Sequence, residues 1–328
     1  MIRIALIGCN AAADYGPAAS RLQGAKFVAA VDPHGAAAED AARALDASIR
    51  AASFKELIDR NAAALDAVMI RSTNDPPAEI VARAAAAGKH VMLDMPLILR
   101  MPSSDEPIDA CRSAGVTFML AQDTRFLPAV AEVKSCLNSG ILGSPGLLRL
   151  HDWKPPGAEP TDGAAAILED ILPDVDLANW LFDALPTEVY AAGSAGPDRA
   201  QDAYGYVQAH LGFPNGGMAL VDRSAMLPSG SDYFALSMFG SSGAAYADDH
   251  HNVHLLYGGG RPAALPAGQG CLHRVAELQE FVDAIEAHRR PAVAADDGCR
   301  AAEVTRAIGR SLESGRALQL VGSCYEFV

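Results

Sequence analysis

Over its first 121 residues the chain alternates short apolar runs with Ala-rich amphipathic segments, and nothing constrains its fold more. The apolar runs fall at residues 2–7, 27–31, 67–70, 90–93 and 116–120, the length of strands buried on both faces. Between them, residues 11–22, 36–45, 53–58, 77–87 and 106–114 carry helical patterning, with Ser53 as a candidate cap and Gly88 as a terminator. Gly16-Pro17 is expected to delay or kink the first of these helices. Strands that alternate with helices are joined by right-handed crossovers, so the pattern predicts an α/β fold with a doubly wound parallel sheet.

Around Arg125 the texture changes. A helix is expected at 128–138, a strand at 147–151 and a helix at 166–181. Residues 204–211, 217–223, 233–239 and 253–257 then read as half-buried antiparallel strands, and 275–288 and 301–314 as long helices. The Gly/Pro/Ala-rich stretch 258–270 reads as a loop.

The formal net charge of −14 argues against nucleic acid and against an anionic membrane surface as partners. An anionic cofactor would therefore have to be held by local geometry. The six cysteines are scattered with no C-x-x-C pair, which reads as reduced thiols in place of a disulfide framework or zinc site. No stretch approaches the roughly 20 apolar residues of a membrane span. A cytoplasmic protein is expected.

The turn after the first apolar run is Gly8-Cys9-Asn10-Ala11-Ala12-Ala13, where a dinucleotide fold would carry G-x-G-x-x-G/A. Gly8 suits the tight turn and Ala13 the close helix–strand contact, while Asn10 replaces the glycine that lets a diphosphate approach the backbone. A turn of this type that no longer binds dinucleotide is the competing reading. Asp32 ends the second run, where a carboxylate would take ribose hydroxyls and repel a 2′-phosphate; it favours NAD over NADP, with His34 beside it tempering the charge. His250, His251 and His254 behind Asp248-Asp249 form an incomplete ligand set, and no metal site is expected. Cys9 reads as a small buried hydrophobe.

A series of segments then carries a resemblance: residues 66–70 followed by Asn74, Gly88-Lys89-His90-Val91, Arg125-Phe126 with Pro128-Ala129, residues 140–143, residues 176–181 and Ser314-Gly315-Arg316. In this order and spacing the chain resembles, from end to end, the glucose-fructose oxidoreductase / inositol dehydrogenase / MocA (Gfo/Idh/MocA) family. The resemblance implies a Rossmann domain over 1–122 and an α/β domain with a large, mostly antiparallel sheet over 123–328, the last helix packing back on the first domain. It also implies NAD(P)-dependent oxidation of sugars or cyclitols, and a homodimer or homotetramer formed through the open face of the second sheet. Asn74, Asp94 and Pro96 join Gly8, Asn10, Ala13 and Asp32 as the implied cofactor contacts.

Carried over residue by residue, the family's catalytic groups are mostly missing. Its E-K-P lysine falls on Met95, between Asp94 and Pro96, and its catalytic histidine falls on Pro173. The carboxylate four residues before that histidine falls on Glu169. The P-N-x-x-H motif appears as Thr73-Asn74-Asp75-Pro76-Pro77, without the histidine. Oxidising an alcohol by hydride transfer also requires moving the hydroxyl proton, for which a placed base typically supplies about 10²–10⁴-fold. Neither a thioether nor a proline can do that.

The candidate stand-ins are Glu169, Asp94, His151 and Lys154. Asp170 reads as a solvated helix residue sharing a face with Asp174, Trp153 as core or interface, and Arg125 as a residue fixing the domain junction. The expected function is an NAD(P)-binding oxidoreductase with a replaced proton relay, acting on a sugar, cyclitol or other small polar molecule. The alternatives are an inactive nucleotide- or ligand-binding paralogue, with or without cofactor, and a non-redox lyase or isomerase using the same cleft.

Overall fold

The structure is a computed structural model that describes residues 1–9, 12–72, 75–101, 105–154, 164–194, 204–227, 233–248, 253–257, 263–266 and 271–328. The chain divides into two compact units, Met1–Phe126 with Gly270–Cys299, and Leu127–Gln269 with Arg300–Val328.

The first unit runs β1 (Ile2–Ile7), α1 (Ala12–Ala19), β2 (Ala25–Val31), α2 (Gly35–Ala44), β3 (Ile49–Ala51), α3 (Phe54–Asn61), β4 (Ala67–Ile70), α4 (Pro77–Ala86), β5 (His90–Asp94), α5 (Asp105–Ser113) and β6 (Phe118–Ala121). Its strands form a parallel sheet in the order β3-β2-β1-β4-β5-β6. Strand order therefore reverses between β1 and β4, the switch point at which ligands of open α/β sheets bind, outside the carboxyl ends of the strands. Every residue of β4 is buried, as expected of a strand covered on both faces. Ile4, Leu6, Met69 and Met92 form one apolar cluster with Tyr15 and with Phe281 of a later helix. Burying each such side chain contributes about 1.5–3 kcal/mol.

Ser53 caps α3, accepting the backbone N–H of Glu56. Two local details differ from the sequence pattern. The helix α1 begins at Ala12, so Gly16-Pro17 does not delay its start; Pro17 lies inside it and the helix ends two residues later. The short strand β3 escapes the sequence pattern, since Ile49-Arg50-Ala51 carries only one large apolar residue.

The second unit contains α6 (Pro128–Asn138), β7 (Pro145–Trp153), α7 (Ala164–Phe182), β8 (Glu188–Ser194), β9 (Tyr206–Gly212), β10 (Met218–Ser224), β11 (Tyr233–Gly240), β12 (Ala244–Asp248), β13 (Val253–Tyr257) and β14 (Ala263–Pro266). After these, α8 (Leu272–Glu286) belongs to the first unit, α9 (Ala295–Ser314) follows, and β15 (Leu318–Val321) and β16 (Cys324–Phe327) belong to the second. The second sheet has the order β14-β13-β12-β11-β7-β10-β9-β8-β15-β16, with β7 and β10 parallel and the other pairs antiparallel. The loop expected over 258–270 is corrected in part: residues 263–266 pair with β13 as β14, and Pro266 is tolerated because β14 is an edge strand.

Period-two burial sorts the side chains of this sheet. In β7, Leu148, Leu150 and Asp152 are buried while Leu147, Arg149, His151 and Trp153 face the other way. By register, Asp222 of β10 shares the face of His151, and Arg223 shares that of Asp152. Arg223 reaches Asp170 of α7, so the Asp152 face is the one the helix covers.

Candidate active site

The first unit builds its site from the β1–α1 turn outward. Gly8 has φ +81°, and a Cβ there would lie 2.1 Å from the Ser72 carbonyl oxygen, so only glycine fits between the ends of β1 and β4. Asp32 is buried, and its two oxygens accept the backbone N–H groups of Cys9 and His34, each at 2.9 Å. It thereby ties the end of β2 to the turn after β1. A carboxylate has about four acceptor positions, so capacity remains for ribose hydroxyls. Cys9 is buried, and burial and the nearby Asp32 push its thiol up to about 11, which makes it an inert packing residue.

At the carboxyl ends of β4 and β5 the candidate Asp94 lies in a group of charges whose members Arg71, Arg274 and Glu277 the sequence reading did not single out. Arg71, the first residue beyond β4, places Nη1 2.8 Å from Asp94 Oδ1 and 3.0 Å from the Tyr15 hydroxyl, with its guanidinium 5.0 Å from the centre of the Tyr15 ring. The Tyr15 hydroxyl donates to Glu277 Oε2 of α8 at 3.2 Å. Arg274 lies over the same ring at 5.6 Å and 3.6 Å from Asp123, which also faces His273. Burial pushes the Asp94 carboxyl up to about 6, with Arg71 pulling it back and Asp123 adding to the rise. Burial pushes Glu277 further, to about 8, so that it is largely protonated at neutral pH. Arg71 Nε, Arg274 Nε and Glu277 Oε1 are buried without a hydrogen-bond partner. An arginine directly after four apolar strand residues is a signal that sequence reasoning had within reach.

Met95 is fully buried, in a 3₁₀ turn over Met95–Arg100 that also contains Pro96. Asn10 and Asn74 lie outside the described residues, as do His250 and His251. Among the described residues no group of metal-ligating side chains is present, and no helix is long and apolar enough to cross a membrane.

The second unit holds the remaining candidates and separates them. Pro173 lies inside α7, and Glu169 is half-buried one turn earlier. Lys154, just past β7, is half exposed and donates to Asp152 Oδ2 at 3.1 Å. Asp152 also pairs with the buried Arg223, whose Nη2 is 3.8 Å from Asp170. Asp170 is therefore half exposed but paired, a partner the sequence did not reveal. Asp174 is 2% exposed, with Oδ2 unpartnered. Burial and the nearby Asp152 keep its carboxyl well above the ordinary range, against the pull of Arg223. His151 sits on the opposite face, its Nδ1 2.8 Å from both Asp222 oxygens, with Trp153 donating to the same carboxylate.

The residues of the first unit fit a dinucleotide, through the glycine turn, the turn-bound Asp32 and the switch-point cation. Comparison with known proteins agrees. The model described as "Oxidoreductase family, NAD-binding Rossmann fold" matches residues 2–122, and the "GFO/IDH/MocA C-terminal domain" matches 130–246. The chain is 26% identical over 278 residues to the uncharacterized oxidoreductase YrbE of Bacillus subtilis, covering 78% of each chain. It is 27% identical over 268 residues to the myo-inositol 2-dehydrogenase of Thermotoga maritima, covering 78% of this chain and 80% of that one. Its fold is similar to the crystal structure of a probable dehydrogenase from Thermotoga maritima, with TM-score 0.82, 23% identity, and 97% and 98% of the two chains covered. The chain belongs to the Gfo/Idh/MocA family of NAD-binding oxidoreductases.

Proposed function

We propose that this chain uses NAD in preference to NADP to interconvert the hydroxyl and carbonyl forms of a small polyhydroxylated substrate, a sugar or cyclitol, and that Lys154 carries the accompanying proton. The observation that supports cofactor use is the β1–α1 turn, whose backbone at Cys9 is held by one oxygen of Asp32 while the other oxygen accepts the His34 N–H after β2. Its buried carboxylate disfavours a 2′-phosphate. The kinship with a myo-inositol 2-dehydrogenase supports the substrate class.

The cofactor, when bound, supplies or accepts hydride. Moving the proton falls to the protein. Among the four candidates Asp94 is held by Arg71, and His151 is held by Asp222 on the far face of its sheet. Glu169 stands one turn before Pro173 on α7, without the neighbouring histidine of the family pattern. Lys154 is a half-exposed ammonium anchored through Asp152. Asp152 orients the ammonium, and Arg223 balances the Asp152 charge. In reduction the Lys154 side chain gives a proton to the carbonyl oxygen; in oxidation it takes the hydroxyl proton back. Met95 and Pro173 then need no proton chemistry. The open face of the second sheet, with Tyr190 41% and Met218 46% exposed, is the surface through which a homo-oligomer would form.

The test is titration with NADH and NADPH, then assay with NAD⁺ and a panel of inositols and hexoses. Lys154→Met is expected to lower kcat by about 10²–10⁴-fold while NADH binding is kept. A second reading, a ligand-binding protein without turnover, is favoured by the inert Met95 and Pro173. Tight NADH binding with no turnover across the panel would support it.

A further inference from the structure

We propose that Arg71 is a ligand of the cofactor diphosphate; this rests on the reading that the first unit binds a nicotinamide dinucleotide. Residues 8–16 contain no cation, and the chain carries a net charge of −14, so the phosphate turn has no positive side chain of its own. The fold brings one to it. The backbone N–H of Arg71 donates to the Ile7 carbonyl at 2.9 Å, which places the residue beside Gly8 at the β1/β4 switch point. The missing Cβ of Gly8 lets Ser72, the next residue, pack against the turn.

From there the guanidinium reaches Tyr15, the fourth residue of α1, so it lies against the helix whose N-terminus would face the diphosphate. Asp94 and the Tyr15 hydroxyl both hold Nη1, which fixes the plane of the group. The side chain keeps 23% of its surface exposed. A guanidinium fixed on one edge, with donors left over, suits the paired oxygens of a diphosphate. In this arrangement Asp94 is a positioning residue.

The experiment compares NADH, ADP-ribose and AMP binding to the full chain and to Arg71→Met and Arg71→Lys, by calorimetry. Arg71→Met is expected to raise the Kd of NADH and of ADP-ribose alike by about 10- to 100-fold, with Arg71→Lys intermediate. AMP, which keeps only one of the two phosphates, is expected to weaken by less than NADH and ADP-ribose do. Unchanged NADH and ADP-ribose affinities in Arg71→Met would overturn the proposal. Weakened NADH with unchanged ADP-ribose would overturn it too, by assigning the cation to the nicotinamide half. Parallel loss of AMP would show damage to the fold, and normal affinities in Arg71→Lys beside that loss would overturn the specific role of the guanidinium. A parent chain that binds none of the three removes the underlying reading itself.

Discussion

Asp32 Oδ2 accepts the Cys9 backbone N–H at 2.9 Å, joining the end of β2 to the turn after β1 across 23 residues of sequence. Both groups are buried, so the bond cannot be replaced by solvent. Asp32→Ala is expected to leave the Cys9 N–H unsatisfied and to cost about 1–3 kcal/mol. Urea denaturation checks the loss, and the NADH/NADPH preference should narrow in the same variant.

Gly8→Ala combines two faults, a left-handed φ of +81° and a Cβ 2.1 Å from the Ser72 carbonyl. The turn must move. A destabilisation of about 1–3 kcal/mol is expected from the strained backbone, together with loss of NADH binding. Thermal unfolding and fluorescence titration separate the two effects.

Glu277 links stability to pH. Its folded value is raised from the ordinary 4.5 to about 8, so the folded chain keeps a proton that the unfolded chain has lost. The contribution is complete below about pH 4.5 and is lost as pH rises through about 8. Glu277→Gln preserves an acceptor for the Tyr15 hydroxyl and removes the titration. Stability of the parent should fall across this window by a few kcal/mol more than that of the variant. Parallel stability–pH curves would contradict the burial of an ionisable group at this position.

Met95→Lys places an ammonium in a fully buried site that now holds a thioether. The expected cost is about 2 kcal/mol or more, read from chemical denaturation. Neutral stability with a gain of polyol oxidation would show instead that Asp94 accepts the ammonium and that the slot is still in working order.

The strand–helix alternation of the first unit was legible because buried parallel strands are continuous apolar runs, and β4 is four buried residues in a row. Edge and short strands were not, because β3 has three residues and β15 alternates too briefly to read. Met95 and Pro173 were legible in the sequence as residues that cannot move a proton. The charged group around Arg71 was not, because its partners are distant in sequence: Arg71 meets Asp94 across 23 residues, and Tyr15 meets Glu277 across 262. Likewise Asp174 looked no different from Asp170 in the sequence, yet one is buried and the other half exposed.

The most direct test is a fluorescence titration of the intact chain with NADH and NADPH at neutral pH. Saturable NADH binding, tighter than NADPH by about tenfold or more, is the result expected from a buried Asp32 at the ribose end of the turn. No change in fluorescence with either cofactor, or tighter binding of NADPH, would contradict it.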